Sequence, residues 1–280
     1  MCIFKYKWHD RIITLDNPNQ LIMRKFLSII SIVLFLIVGH SCDHPIKLKM
    51  KSFVGSYINY GDISVSQIDL RCLVLTTDES YTSIYQFSKD KTIKQRYLDL
   101  SKKYNDLSYN KTVTGIAPQV CSVITPNISK ISTTSLSAFN SKHAENSSLD
   151  DIVKLMSFSL YPYISSSYTR AYNFNEETRS ATFDKYCKQY FGCLWAYPEF
   201  GYGSAFTPYF PVESYLNKLK TSDIKMVPFW RLSNNSLRRA IGYLYFEELP
   251  DTPGDYDIRV EITDENGKVY TSTLTMKFDF

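Results

Sequence analysis

PGDYDIRVEITDENGKVYTSTLTMKF, residues 253–278, decides the fold class. Tyr256, Ile258, Val260 and Ile262 alternate with Asp257, Arg259, Glu261 and Thr263. Successive side chains of a strand point to opposite faces, so this period of two predicts one apolar face and one wet face. Asp264-Glu265-Asn266-Gly267 follows. Asn-Gly between alternating runs signals a hairpin, because both residues tolerate the positive φ that a tight turn needs. Tyr270, Leu274, Met276, Phe278 and Phe280 then share one face of the returning strand, and Pro253-Gly254 opens the pair sharply.

The same pattern recurs towards the N-terminus. Ile63 and Val65 oppose Ser64 and Ser66, and Ile68, Leu70, Cys72 and Val74 continue with period two. Residues 81–87 read as a strand, and residues 121–131 as a strand bent at Pro126. Residues 89–111 hold a short helix or a long loop. Three helices are expected further on. Ser148–Met156 has Ser148 as its cap and Asp150 and Asp151 in its first turn. Phe183–Phe191 is the second, and Val212–Leu219, after Pro211, the third. The sum is a mainly β protein with a few short helices and long loops, one domain over residues 52–280. The hairpin resembles the final strand pair of bacterial immunoglobulin-like sandwich modules. That resemblance implies an immunoglobulin-like β-sandwich and no particular activity.

Residues 24–42 read RKFLSIISIVLFLIVGHSC. Two cations, a 13-residue apolar stretch and a short polar end form the anatomy of a secretory signal. The stretch is short for a permanent span, which takes about 20 apolar residues. Trp8, His9, Asp10 and Asp16 do not suit a signal's basic start, so Met23 is read as the true start, with residues 1–22 outside the mature protein. Gly39-His40-Ser41-Cys42 resembles the lipobox of bacterial lipoproteins, in its looser Bacteroidetes-type form. The segment ISKISTTSLSAFNSKHAENSSLDDI is faintly similar to uncharacterised lipoprotein families of that type. The resemblance implies a signal peptide over residues 23–41, acylation at Cys42, a lipidated tether over residues 42–51, and anchoring at the cell envelope. The outer membrane is the expected address, facing the periplasm or the surface.

Charge narrows the partners. The chain carries 32 basic and 28 acidic residues. Residues 1–41 hold five of the former and two of the latter, so the mature part is near +1. With no basic run, it has no field to steer it to nucleic acid.

Chemistry is sparse. There is no GxSxG, no HExxH and no glycine-rich phosphate loop, and the mature part has only His44 and His143. No metal and no cofactor are expected. His143, within SKHAENSS, is expected as a solvated loop residue. Four mature cysteines besides Cys42 permit two disulfides, Cys187 with Cys193 and Cys72 with Cys121; the alternative is that Cys72 is a buried small hydrophobe. The aromatic, turn-rich segment 195–211 and its neighbour Trp230 offer Trp195, Tyr197, Tyr202 and Trp230 as glycan-stacking rings; the alternative is that these rings cover the core. A non-catalytic envelope lipoprotein that binds a glycan or another envelope protein is the expected function. A polysaccharide hydrolase working through acidic residues not identifiable in the sequence is the alternative.

Overall fold

The structure, a computed structural model, describes residues 46–77, 82–115, 121–173, 179–190, 206–231 and 239–280. Apart from Ile46, Thr114 and Gly115, the architecture below belongs to the unit formed by Lys47–Val113 with Pro118–Phe280. It is mainly β. In chain order, the first strands are β1 (Ile46–Met50), β2 (Val54–Asn59), β3 (Ile63–Asp69), β4 (Cys72–Thr77) and β5 (Thr82–Tyr85). Helix α1 (Lys91–Lys103) leads to β6 (Lys111–Gly115), β7 (Cys121–Thr125), β8 (Ile128–Ser135) and β9 (Val153–Ser159). Then come α2 (Tyr161–Ser165), β10 (Tyr172–Asn173), α3 (Ala181–Tyr190), β11 (Phe206–Thr207) and β12 (Phe210–Tyr215). The chain ends on β13 (Trp230–Arg231), β14 (Arg239–Phe246), β15 (Gly254–Asp264) and β16 (Val269–Phe278).

The hairpin forms as its alternation predicts. β15 pairs β16 with Tyr256 opposite Met276, Ile258 opposite Leu274 and Ile262 opposite Tyr270. Ile258, Val260, Ile262, Met276 and Phe278 are buried, and Leu274 is half-buried against them. Asp264 closes the turn: its Oδ1 accepts from the backbone N–H groups of Asn266 and Lys268 at 2.8 and 3.0 Å. β8 joins the other side of β15, giving the sheet order β16-β15-β8.

A six-stranded sheet, ordered β12-β9-β14-β4-β3 with β13 also on β14, lies at the centre. Leu73, Leu75, Leu155 and Leu244 pack with Ile258, Val260 and Phe278 of the hairpin sheet. Their neighbours in sequence, Cys72, Val74, Met156 and Tyr243, pack instead with Val54, Tyr57, Ile84 and Tyr97. The central sheet is therefore buried on both faces. A sheet buried on both faces needs near-continuous apolar strands and not alternating ones. The second face is covered by the sheet β5-β2-β7, in which β2 and β7 run parallel, and by residues of α1, α2 and α3.

Two of the expected helices are strands. Within Ser148–Met156, Ser148 Oγ does accept from Asp150 N, but the Asp150 carboxylate accepts from the backbone and hydroxyl of Thr133. That pins a turn against β8, and the apolar run that follows enters the central sheet as β9. Asp150 is thus a turn residue and not a helix-dipole charge. Within Val212–Leu219, residues up to Tyr215 complete β12 against β9, and only Leu216–Lys218 form a 3-10 turn. The second expected helix is present as α3. Residues 89–111 resolve into α1, capped by Asp90, whose carboxylate accepts from Thr92 N and Ile93 N. The bend at Pro126 separates two strands, β7 and β8, across a cis Thr125-Pro126 bond. Part of the expected tether is structured: β1 falls within it, and Met50 is buried at 2% exposure.

Candidate functional site

Several expected site residues lie outside the described residues: Cys42, Cys193, Trp195, Tyr197 and Tyr202. Cys187 falls in α3 and Trp230 in β13, where Trp230 pairs with Ala240; the side chains of both are outside the description. The expected Cys72–Cys121 bridge is not made. Both are free, buried thiols. Cys72 opens β4 in the central sheet and Cys121 opens β7 in the outer sheet, and each thiol donates to the carbonyl of the residue after it at 3.8 Å. Burial pushes the Cys72 thiol well above its ordinary value and the Cys121 thiol up to about 12. Neither thiol is poised as a nucleophile, which requires the thiolate.

His143 is not solvated. It is 5% exposed, with Nδ1 facing Asn140 Oδ1 at 2.8 Å and Nε2 facing Asp151 Oδ1 at 2.9 Å. Asn140 Oδ1 also accepts from the N–H groups of Lys142 and His143, so the amide is oriented by the backbone. Both ring nitrogens are thereby committed, and the imidazole fastens a turn. A general base needs a free nitrogen within reach of substrate.

Asp106 is the most deeply buried carboxylate with an altered proton affinity. It accepts from Phe53 N at 2.8 Å, Val54 N at 2.9 Å and the Tyr168 hydroxyl at 2.7 Å. Burial raises its pKa to about 6, against the pull of those three donors. It ties the end of α1 to the start of β2 and is closed off from solvent. Among the described residues, no group of three or more His, Cys, Asp or Glu could hold a metal ion.

A cleft of about 300 Å³ is open to solvent beside α1. One wall is a helix face, Arg96, Asp99, Leu100 and Lys103, at the i, i+3, i+4, i+7 spacing that puts residues on one side. The facing wall comes from the ends of β2 and β7, with Asn59, Thr125 and Pro126, and from Ile84 of β5. Glu265 and Asn266 of the hairpin turn form the rim. Glu265 is a clamp: it accepts from Tyr104 Oη at 2.5 Å, Lys103 Nζ at 2.9 Å and Asn127 N at 3.1 Å. Burial alone would raise its pKa, but these donors hold the carboxyl below the usual range. The hairpin turn is thus locked to the end of α1.

Reading the sequence alone misses this cleft. The Asp-Glu-Asn-Gly run reads there as a turn only, and nothing local links it to residues 96–103. The helix-face spacing of Arg96, Asp99 and Lys103 is the available signal. No protein family, no characterised protein and no solved structure matches this chain.

Proposed function

We propose that this is an exported, lipid-anchored protein of the bacterial cell envelope, resident at the outer membrane, whose mainly β body binds a glycan and does not catalyse. The leader carries the proposal: a basic pair, an apolar stretch short for a span, and Cys42 directly after a small polar end. Acyl chains on Cys42 would supply the membrane attachment once residues 23–41 are removed. Among the described residues, no helix is long and apolar enough to cross a membrane. The commitment of His143, Asp106 and Glu265 to turns and strand ends supports binding over hydrolysis. We read the hairpin sheet and the central-sheet face beneath it as an immunoglobulin-like pair of sheets.

Cys42→Ala tests the anchor. The variant leaves the membrane fraction and lacks the acyl mass. A variant that stays with membranes and keeps residues 23–41 overturns lipidation in favour of an uncleaved span. A glycan array, run with a check for released product, tests the binding. Product release would favour the hydrolase reading.

A further inference from the structure

We propose that the cleft beside α1 binds a neutral, hydroxyl-rich ligand of monosaccharide size, free or at the end of a glycan. This rests on the binding function proposed above and assigns its site to residues other than the aromatic segment. Charge is the first argument. Lys103 and Glu265 neutralise each other at 2.9 Å, and Arg96 and Asp99 add one charge of each sign. The lining has no net charge to favour an ion.

Hydrogen-bonding capacity is the second. Among the described residues, the side chains of Asn59, Arg96 and Asn266 are engaged in no hydrogen bond or ion pair, and all three line this cleft. A carboxamide donates and accepts, as a sugar hydroxyl does, and a guanidinium presents several donors in one plane. Ile84, Leu100 and Pro126 add an apolar surface for the C–H face of a ring. A few placed polar groups against an apolar wall is the composition of a small-molecule site, and the cleft lies at the small end of their roughly 300–1,000 Å³ range.

Preorganisation is the third. The rim cannot drift from the helix, because Glu265 is held by Tyr104, Lys103 and the Asn127 backbone. Its own N–H also donates to Asn127 O at 2.8 Å. A ligand binding here does not have to order the turn, so little affinity is lost to that step.

The test uses the full chain in detergent micelles and saturation-transfer NMR. The probes are glucose, galactose, mannose and N-acetylglucosamine, each also as the end unit of an oligosaccharide. At least one is expected to bind with Kd on the order of millimolar. Arg96→Ala and Asn266→Ala, both at exposed positions and checked for unchanged melting, each weaken it roughly tenfold. Lys91→Ala, outside the cleft on the same helix, leaves it unchanged. Equal binding of free and chain-end units assigns a glycan end; binding of the free unit alone assigns a free sugar. Absence of binding by every probe, or binding untouched by both variants, overturns the cleft. An array-positive protein whose binding ignores both variants keeps the proposed function and loses this site. An array-negative protein whose sugar binding is lost in them keeps the site and loses the glycan.

Discussion

The hairpin sheet and the central sheet bury comparable apolar strands by opposite rules. β15 alternates, with Ile258, Val260 and Ile262 buried and Asp257, Arg259 and Glu261 more exposed. β9 does not: of VKLMSFS, every residue except Lys154 is buried. The difference follows from position. The hairpin sheet has one neighbour and one wet face, while the central sheet is covered on both sides. Period-two patterning is therefore a report of how many faces a sheet buries, and its absence marks the middle of this molecule.

The largest effects should come from charge placed on adjacent residues. Leu155 and Met156 point to opposite faces of β9, and each enters a separate apolar cluster. Leu155→Asp and Met156→Asp should each cost more than about 4 kcal/mol, because either buries an unpaired carboxylate. In β15 the same test splits. Val260→Asp should match them, while Glu261→Ala next to it should shift stability by less than about 0.5 kcal/mol. Thermal melts of the four variants decide this. A well-tolerated Met156→Asp would mean that the central sheet has a wet face and that the comparison fails.

The two outer layers also differ in how they are fastened. The hairpin sheet docks by apolar rows and by the partly exposed Glu265 clamp at its turn, whereas the start of β2 is pinned by the fully buried Asp106. Asp106→Ala leaves three donors without their acceptor, and at about 1–3 kcal/mol for each unmet buried group the loss should be roughly 3 kcal/mol. The pH dependence has a definite sign. The folded-state pKa is raised to about 6 from an ordinary 3.8. Between those values the folded chain holds this proton and the unfolded chain does not, so unfolding free energy from this group rises as pH falls from about 6 towards 4. Wild type minus Asp106→Ala, measured by denaturant melts across that window, should grow on acidification. A flat difference would mean that Asp106 ionises in the folded protein as it does in water.

How much is legible in the sequence follows from the same contrast. The hairpin and the facing of its strands are readable because alternation and Asn266-Gly267 are local signals. The turn itself is wider than a two-residue Asn-Gly turn: Thr263 is opposite Val269, and Gly267 has a positive φ while Asn266 does not. β9 and β12 are not. A short apolar run behind a capping serine satisfies a helix as well as a doubly buried strand, and only the β14 and β12 partners decide between them. His143 misleads for a related reason: its polar neighbours promise solvent, but Asn140 and Asp151 fold around it. The cleft joins residues 59, 96–103, 125–126 and 265–266, so its composition exists only after folding.

Glycine sharpens the comparison at the smallest scale, because Gly242 of the central sheet and Gly267 of the hairpin turn are needed for different reasons. Gly242 lies at a register shift in β14, and a Cβ there would meet Leu155 Cδ1 at 3.1 Å, Ser157 Cβ at 3.2 Å and Met156 O at 3.3 Å. The obstacle is packing, so Gly242→Ala should cost about 1–3 kcal/mol as an overpacking change. Gly267, in the hairpin turn, sits at φ +84°, and a methyl group added to it would meet nothing within 4 Å. Its obstacle is backbone conformation alone, and Gly267→Ala should cost about 1 kcal/mol. Asparagine separates the two causes. It tolerates left-handed backbone better than alanine, so Gly267→Asn should recover part of the loss, whereas Gly242→Asn, which is larger still, should be worse than Gly242→Ala. Chemical-denaturant midpoints of the four variants give the order. If asparagine were no better than alanine at position 267, the turn would be limited by something other than φ, and the hairpin would no longer be the locally determined half of this protein.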